Sequence, residues 1–369
     1  MKKINLLCLL GLFSLMAFAE VPVGYYESAE GKQGDELRLA LQDVIDNHTV
    51  VSYDNLKPLY IYSDTKNTES DAGTSLIDIY STCGFVPGSG YCASSACGGG
   101  YNREHSVPKS WFNEATPMYS DAFHLYPTSC YVNSYRGNYA LGVCANGTKC
   151  TTNGMTEALG RRGNCTYPGY SGVVYEPDDE YKGDLARTYF YMATRYADKC
   201  ATWSGGMFGS NNKGFQTWAI NMLLEWHRQD PVSTKEILRN EVIYGNSTYN
   251  KGNYKQNNRN PFIDYPVLAE YIWGTKTGES WYGTSTPVEQ VAFASLQVHP
   301  NPANEVVSIT VDGVDQFTYT IFDISGQLLQ SGISRSNDLV SINQLKGGIY
   351  LLQIEAEGNK QVIKLVVTK

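Results

Sequence analysis

The chain has 369 residues and a formal net charge of −8 at neutral pH. This length is more than one average domain usually holds. The acidic balance argues against a high-affinity nucleic-acid binder, because phosphate neutralisation by basic residues supplies most of the binding free energy of such proteins. It remains compatible with a local basic groove and with weak, transient binding that a metal ion assists.

The first residues are predicted to form an export signal. Lys2 and Lys3 form a basic start, an apolar run extends from residue 6 to 18, and Ala17-Phe18-Ala19 has the small-x-small pattern of a cleavage site. The apolar run is short for a membrane span, which makes an anchor the weaker alternative. We therefore expect a signal peptide over residues 1–19 and a mature chain without a membrane span.

In the next part of the chain, three segments have helical periodicity. Apolar residues recur at helical spacing over 37–45, over 185–196 and over 215–226, the last ending before Pro231. Residues 82–102 are rich in Gly, Ser and Cys and predict a loop held by disulfides. Residues 20–282 are therefore predicted to form a helix-rich domain with short strands and long loops.

Cysteine usage agrees with export. Eight cysteines follow the signal, all before residue 201, and an even number in an exported chain predicts up to four disulfides of undetermined pairing. A zinc site is the alternative, but no Cys-x-x-Cys pair or nearby histidine supports it. The predicted disulfide cysteines are Cys83, Cys92, Cys97, Cys130, Cys144, Cys150, Cys165 and Cys200.

The pattern changes after Tyr282. Residues 283–295 resemble a linker, and the strand-like alternation that follows covers residues 306–311, 317–324, 349–354 and 362–367. Turns are predicted at Asp323-Ile-Ser-Gly326 and at Lys346-Gly-Gly348. Residues 296–369 are therefore predicted to form a small all-β sandwich, which makes the whole chain an α+β protein.

Two polar segments, residues 101–112 and 121–138, contain two of the five histidines in the chain. A neutral imidazole can deprotonate water near neutral pH, and a divalent cation stabilises the charge that develops on a phosphoryl group. Mg²⁺ prefers oxygen ligands and keeps several waters, so one carboxylate and one amide can be enough protein. Glu104, His105 and Asn133 supply this set and predict phosphodiester hydrolysis.

The adjacency of Glu104 and His105 adds a geometric condition. Neighbouring residues on a regular strand point to opposite faces, so these two can share a site only at a strand end or in a distorted segment. Pro108 favours a strand end because proline donates no ladder hydrogen bond. Asn133 would come from the following helix, whose start we place at Pro127-Thr128.

Several motifs can be compared as a set. They are Asn102-Arg-Glu-His-Ser-Val-Pro-Lys-Ser-Trp-Phe112, His124-Leu-Tyr-Pro127, Val132-Asn-Ser-Tyr-Arg-Gly-Asn138, Gly183-Asp-Leu-Ala-Arg-Thr-Tyr-Phe-Tyr-Met192 and Asn260-Pro-Phe262. From roughly residue 30 to 275 this set resembles the bacterial endonuclease I family, ββα-metal (His-Me finger) nucleases of mixed α/β fold. The resemblance implies His105 as general base, Glu104 and Asn133 as Mg²⁺ ligands with Mn²⁺ or Ca²⁺ as substitutes, and cleavage of DNA, and often RNA, to 5′-phosphate products.

The chain departs from the family in two places. The segment between His105 and Asp121 is short, whereas some relatives have an insertion there with a phosphate-contacting arginine. Ala122-Phe123 replaces the Leu-His found in many relatives, so His124 is expected near the site, either in catalysis or in a supporting position. The candidates for the phosphate contact are Arg187 as first choice, Arg136, Arg259, and the two basic residues Arg103 and Lys109 of the first motif.

The tail carries a second resemblance. Asn301-Pro-Ala303, the turn Ile321-Phe-Asp-Ile-Ser-Gly326 and Gly348-Ile-Tyr-Leu-Leu352 resemble the C-terminal sorting domain of the type IX secretion system. This implies export across both membranes to a secreted or cell-surface location, with the secretion machinery as a partner. An ordinary carbohydrate-binding or adhesive sandwich is the alternative.

The combined expectation is a secreted, monomeric, metal-dependent endonuclease that cuts DNA and RNA with little regard to sequence. Two alternatives remain open at this point. One is an enzyme restricted to RNA, because a non-specific nuclease grips backbone rather than base edges. The other is an inactive nucleic-acid-binding surface protein, although none of the base and ligand residues is missing.

Overall fold

The computed structural model describes residues 21–65, 75–92, 100–152, 155–156, 158–283, 296–311, 313–323, 328–356 and 359–368. The predicted signal peptide, almost all of the predicted linker and Cys97 lie outside these residues. The described residues form two compact units, the first ending at Trp281 and the second beginning at Tyr282.

The first unit is built mainly from helices. Its described residues form α1 (Gly34–Ile45), α2 (Leu56–Ser63), α3 (Cys130–Arg136), α4 (Lys182–Arg195), α5 (Thr217–Gln229), α6 (Thr234–Tyr244), α7 (Pro261–Asp264) and α8 (Leu268–Ile272). Short strands complete it: β1 (Asn102–His105), β2 (Leu125–Thr128), β3 (Ala140–Leu141), β4 (Thr151–Thr152), β5 (Met155–Thr156), β6 (Arg161–Asn164) and β7 (Val173–Glu176). The three predicted helices are confirmed as α1, α4 and α5.

Helix α4 is the central helix of this unit. Every residue from Gly183 to Arg195 is buried, and the helix packs against α1 and α5. A helix that is buried on all sides must pair its polar groups. Arg187 accordingly pairs with Glu236 of α6, and Arg195 with Asp46 after α1.

Helix α6 was missed by the periodicity, although its start has a recognisable signal. The Ser233 hydroxyl accepts from the Glu236 amide while the Glu236 carboxylate accepts from the Ser233 amide, which is a capping box. The helix ends at Gly245 with φ +98°, a left-handed conformation that glycine adopts without strain.

Strands β1 and β2 pair antiparallel, and α3 follows directly, which gives a β-β-α unit. The predicted helix start at Pro127-Thr128 is wrong, because both residues belong to β2 and α3 begins at Cys130 after the N-cap Ser129. Proline is tolerated at this position because β2 is an edge strand of a two-stranded sheet.

The second unit is all-β, so the predicted α+β class is confirmed. The strands are β8 (Leu296–His299), β9 (Val306–Val311), β10 (Gln316–Asp323), β11 (Leu328–Arg335), β12 (Leu339–Ser341), β13 (Gly348–Ala356) and β14 (Asn359–Val367). One sheet has the order β11-β10-β13-β14 and the other β12-β9-β8. Strands β8, β11 and β12 lacked a prediction. In β11 every second side chain is only half-buried and the rest are exposed, so apolar alternation is weak.

The cysteines agree only in part with the predicted disulfides. Cys92 and Cys130 form a disulfide that ties the loop before β1 to the start of α3, and Cys83 is also disulfide-bonded. The other four described cysteines are thiols, which corrects the prediction for Cys144, Cys150, Cys165 and Cys200. Cys144, Cys150 and Cys200 are buried, and buried cysteine packs as a small apolar side chain.

Among the described residues no helix is long and apolar enough to cross a membrane.

Candidate active site

Glu104 and His105 are the last two residues of β1, opposite Tyr126 and Leu125 of β2. The strand end that their adjacency required is therefore present. Both side chains are buried, with 3% and 6% of their surface exposed. The next residue, Ser106, leaves the strand and donates from its amide and its hydroxyl to the His124 carbonyl.

The ring of His105 is held in one tautomer. Its Nε2 lies 2.9 Å from the carbonyl oxygen of Tyr119. Because a carbonyl can only accept, Nε2 must carry the proton and Nδ1 keeps its lone pair. Burial, with the neighbouring His124, lowers the pKa of His105 to about 3, so the ring is neutral at neutral pH. His105 thus has one nitrogen available to accept a proton.

Aromatic side chains hold the His105 ring in place. Tyr53 stacks on it with a centroid distance of 5.7 Å and an interplanar angle of 18°. Tyr119, Phe112 and His124 surround it at 5.3, 6.4 and 5.4 Å. Tyr53 was not predicted as a site residue, because it precedes the motif by about fifty residues in a region without any local signal.

Glu104 is a buried carboxylate with incomplete compensation. Its Oε1 lies 3.2 Å from Nε of Arg136, yet neither atom has a hydrogen bond of good geometry. Burial raises the pKa of Glu104 to about 7, although the charge of Arg136 opposes that rise. An ionised Glu104 would therefore be stabilised by further positive charge at this position.

The helical spacing of α3 puts Asn133 on the same side of the helix as Arg136. Arg136 of α3 reaches Glu104 and donates to the Ser106 carbonyl at 2.6 Å, so this helix face meets the end of β1. Residues three apart on a helix share a face, which places half-buried Asn133 beside Arg136. Asp78, which was also not predicted, anchors the start of α3 by accepting from the Ser129 amide at 2.8 Å.

Glu104 and Asn133 are the residues here that could hold a divalent metal ion. The unsatisfied buried Oε1 of Glu104 is an oxygen donor of the kind that Mg²⁺ prefers, and an amide oxygen is another. No group of three or more His, Cys, Asp or Glu suited to a metal occurs in the described part of the chain. A metal bound here would depend on one carboxylate, one amide and water, and the donors present fit that pattern.

Arg187 and Arg259 do not reach this site. The Arg187 guanidinium is fully buried. It donates to the Glu236 carboxylate at 2.5 and 2.8 Å and to the Asp230 carbonyl at 2.7 Å. Arg259 is likewise buried between Glu241 and Asp264. Each charge is already neutralised inside the protein, so the geometry favours a structural role for both rather than the predicted phosphate contact.

Arg136 and His124 lie next to the site but beneath its surface. Arg136 has no exposed surface: its Nε lies 3.2 Å from Glu104 Oε1, and its Nη1 and Nη2 donate to the carbonyls of Gly137 and Ser106. His124 is also fully buried, with Nε2 at 2.7 Å from the Met118 carbonyl. For His124 the geometry favours the supporting position over direct catalysis, and Arg136 holds Glu104 rather than facing a substrate.

The two basic residues of the first motif differ in exposure. Arg103 is buried against the ring of Tyr53, with its guanidinium 3.5 Å from the ring centroid, and pairs with Asp54 at 3.2 Å. Lys109 is exposed over 44% of its side chain, and its partner Glu114 is exposed too, at 2.9 Å. Both cations lower the pKa of His105 through their charge, so both lie near that ring.

Comparison with known proteins finds a family match in each of the two units. Residues 33–267 match the family model described as endonuclease I, and residues 297–368 match the model described as a secretion system C-terminal sorting domain. An extracellular ribonuclease of Bacillus subtilis (strain 168) is 35% identical over 268 residues, covering 68% of this chain and 78% of that protein. An extracellular ribonuclease of Bacillus amyloliquefaciens is 34% identical over 264 residues, with the same two coverages. The chain belongs to the endonuclease I family, as a secreted or cell-surface nuclease with a C-terminal sorting domain.

Proposed function

We propose that this nuclease is a metal-dependent endonuclease that hydrolyses DNA and RNA with little regard to sequence and leaves 5′-phosphate ends. The observation that supports it best is the His105 ring, fixed by the Tyr119 carbonyl with Nδ1 unprotonated, one residue away from a buried, under-compensated carboxylate. This arrangement offers a proton acceptor and a cation site at one strand end.

His105 acts as the general base in this proposal. Its Nδ1 accepts a proton from the attacking water, and Nε2 stays hydrogen-bonded to Tyr119, which keeps the ring from rotating during the transfer. The stacked ring of Tyr53 and the rings of Tyr119 and Phe112 restrict its motion further. A positioned ring saves the entropy that a mobile base would lose in the transition state.

Glu104 and Asn133 hold Mg²⁺ in this proposal, with Mn²⁺ or Ca²⁺ as substitutes. When bound, the ion supplies positive charge that stabilises the phosphoryl and leaving oxygens. Arg136 keeps the Glu104 carboxylate oriented from below, at 3.2 Å. Asn133 is neutral, so the set leaves more net positive charge facing the phosphate than two carboxylates would.

Lys109 is the side chain we assign to the scissile phosphate. It lies four residues after His105, and its partner Glu114 is exposed at 56% of its side chain. Exposed ion pairs contribute little free energy, so Lys109 can exchange Glu114 for a phosphate at small cost. Arg103 contributes positive charge from beneath Tyr53 without leaving its buried position.

The substrate class is the second part of the proposal. Both Bacillus relatives are named ribonucleases, which supports RNA as a substrate. The proposed site consists of a metal ion, a lysine for the phosphate and a histidine as general base. None of these requires a 2′-hydroxyl on the substrate, which favours cleavage of DNA as well. An enzyme restricted to RNA is the second candidate, and the names of these relatives favour it.

The test is a digestion assay on plasmid DNA, single-stranded DNA and RNA across a Mg²⁺ titration. The variants are Glu104→Gln and Asn133→Ala, and the matched control is Asn221→Ala, an exposed helical asparagine of α5. We expect wild type to lose activity in EDTA and regain it with Mg²⁺. Both site variants should need more Mg²⁺ for half-maximal activity, whereas the control should follow wild type.

Two outcomes would contradict the proposal. Full activity in EDTA would show that cleavage needs no metal ion. Absence of cleavage on all three substrates in Mg²⁺, Mn²⁺ and Ca²⁺ would show that the protein is not an active nuclease. Cleavage of RNA alone would select the second candidate. Thermal unfolding of each variant shows whether a loss of activity reflects a loss of fold.

A further inference from the structure

A groove of about 410 Å³ is lined in part by residues that follow the two halves of the candidate active site along the chain. One wall is Ser110-Trp111, directly before Phe112, which contacts the ring of His105. Another wall is the segment 138–140, which follows α3. The groove is therefore close in the chain to both halves of the site, and its volume lies within the range of small-ligand pockets.

Two half-buried tyrosines line this groove, and each lies against another side chain. Tyr170 stacks on Trp218 with a centroid distance of 4.4 Å and an angle of 19°. Tyr139 lies under Arg162, whose guanidinium carbon is 5.2 Å from the ring centroid. Rings that are already fixed lose little conformational entropy when they contact a ligand.

Glycines keep the groove free of side chains. Gly205 has φ +90°, and a Cβ there would lie 1.9 Å from the ring of Trp111, so the backbone rests directly on the indole. Gly206 has φ +84°, and a Cβ there would lie 3.2 Å from the ring of Tyr170. The carbonyl of Gly206 accepts from Trp218 Nε1 at 3.0 Å, which ties this glycine turn to the Tyr170–Trp218 stack.

Arg162 differs from the other arginines of the first unit. Each of the others there pairs with a carboxylate, whereas Arg162 forms no ion pair with any residue that the structure describes. Its Nη1 donates to the Tyr135 carbonyl at 2.9 Å, and its guanidinium lies 4.2 Å from the Tyr135 ring centroid. An arginine positioned in this way, half-buried and without a counter-ion, is suited to a phosphate.

We propose that this groove binds one unpaired nucleobase of a single-stranded substrate between Tyr139 and Tyr170, with Arg162 holding an adjoining phosphate. The inference rests on the proposed function, since the bound base belongs to the strand that is cut. The exposed side chains of Ser110, Asn138 and Ser204 supply donors and acceptors at the rim without selecting one base.

The occupant is a single strand because of the groove's chemistry. Aromatic walls bind the faces of bases, and in a duplex those faces are covered by neighbouring base pairs. The whole chain has a net charge of −8, so general attraction to phosphates is weak and stacking must provide a larger share of the binding. Duplex binding through the same groove is the alternative that the test must detect.

The test is fluorescence anisotropy in EDTA, with a labelled single-stranded oligodeoxynucleotide and its duplex as probes. We expect Tyr139→Ala and Tyr170→Ala to raise the Kd for the single strand roughly 5- to 150-fold, the range for loss of one base–aromatic stack. The Kd for the duplex should stay unchanged. Tyr139→Phe should bind as wild type does, which excludes a role of the hydroxyl and reports on folding.

The matched control is Tyr271→Ala. Tyr271 of α8 is also half-buried and also lies under a cation, Lys276, at 5.1 Å, but it is not part of the groove. A single abasic site, placed at successive positions of the oligonucleotide, should raise the Kd of wild type at one position. The Kd of Tyr139→Ala should not depend on where the abasic site lies. Arg162→Gln should lower the slope of log Kd against log salt by about 0.7, the value for one phosphate on a single strand.

The inference is wrong if the tyrosine variants bind the single strand as wild type does, or if they weaken duplex and single strand equally. It is also wrong if wild type binds the single strand no better than the duplex. Failure of the proposed function looks different, since wild type would then show the Tyr139-dependent binding in EDTA and yet cut nothing when Mg²⁺, Mn²⁺ or Ca²⁺ is added.

Discussion

The two units of this protein differ in what they bury. The first unit encloses charged side chains such as Glu104, Arg136, Arg187 and Arg259, whereas Ser308 is the one polar residue buried among the described residues of the second unit. Burying a charge costs free energy unless a partner compensates it, and buried pairs rarely stabilise a fold more than apolar packing would. In the first unit, burying charges costs free energy, and the buried pair of Glu104 and Arg136 positions the candidate active site. The core of the second unit is apolar.

This difference suggests where function lies in each unit. In the first unit the buried pair Glu104–Arg136 lies at the end of β1, whereas Arg187 and Arg259 pair with glutamates of α6. In the second unit the core is Val, Ile, Leu, Phe, Tyr and Ala, so any recognition by secretion machinery must use its surface. The following predictions test the contrast, from the largest expected effect to the smallest.

His105→Ala should lower the rate of nucleic-acid cleavage about 10²- to 10⁴-fold, the usual contribution of a positioned general base. The control is His299→Ala, an exposed histidine of the second unit that should leave the rate unchanged. Initial rates on RNA in Mg²⁺, with circular dichroism of both variants, measure the effect. A rate within a few fold of wild type would show that His105 is not the base.

Arg136→Met should destabilise the first unit by about 3–5 kcal/mol, because it removes one partner of the buried Glu104–Arg136 ion pair. Arg161→Met is the matched control. Arg161 also pairs with a glutamate, Glu176 at 2.9 Å, but 41% of its side chain is exposed, so about 1 kcal/mol or less is expected. Chemical denaturation followed by fluorescence gives both values. Equal losses of stability would show that the burial of the Glu104–Arg136 pair does not increase its contribution to stability.

Ile321→Ala should destabilise the second unit by about 2–5 kcal/mol, because it creates a cavity in an apolar core. Cleavage activity at 25 °C should not change. Calorimetry of the full chain measures the first effect and a digestion assay the second. A matching loss of activity would show that the site depends on the second unit, against the contrast drawn above.

His227 should make the first unit sensitive to acid. Burial, followed by the charge of Arg187, lowers its pKa to about 4, against about 6.5 for an unfolded histidine. Below pH 6.5 the unfolded chain takes up a proton that the folded chain does not, so this stability is present above pH 6.5 and is lost as the pH falls towards 4. Between pH 7 and pH 5, the contribution of His227 to the free energy of unfolding should fall by about 2 kcal/mol.

Denaturation of wild type and His227→Gln at pH 7, 6 and 5 isolates this effect from other titrating groups. The advantage of wild type over the variant should shrink by about 2 kcal/mol over that range. A constant difference would show that His227 is not held neutral in the folded protein. The second unit has no buried histidine among its described residues, so its transition provides an internal reference.

Features that depend on neighbouring residues could be predicted well from the sequence. The periodicity of α1, α4 and α5 and the alternation of β9, β10, β13 and β14 reflect local backbone geometry, which a run of residues reports directly. The same holds for the strand end at Glu104-His105, which followed from side-chain direction along a strand. The start of α3 was misplaced by three residues because proline is compatible with both an edge strand and a helix start.

The sequence by itself therefore determined the strand end at Glu104-His105, the three periodic helices and the all-β tail, whereas β2 lies where a helix start was predicted. Only the tertiary structure decided which cations remain available. Arg187 meets Glu236, and Arg259 meets Glu241, through contacts between different elements, and Arg162 is left without a carboxylate in the described chain. Burial and pairing are properties of the packed chain, because whether a charge faces solvent depends on elements that are distant in sequence. Tertiary packing likewise decided the stacking of Tyr53 on His105, the four thiols and the groove beside Tyr139.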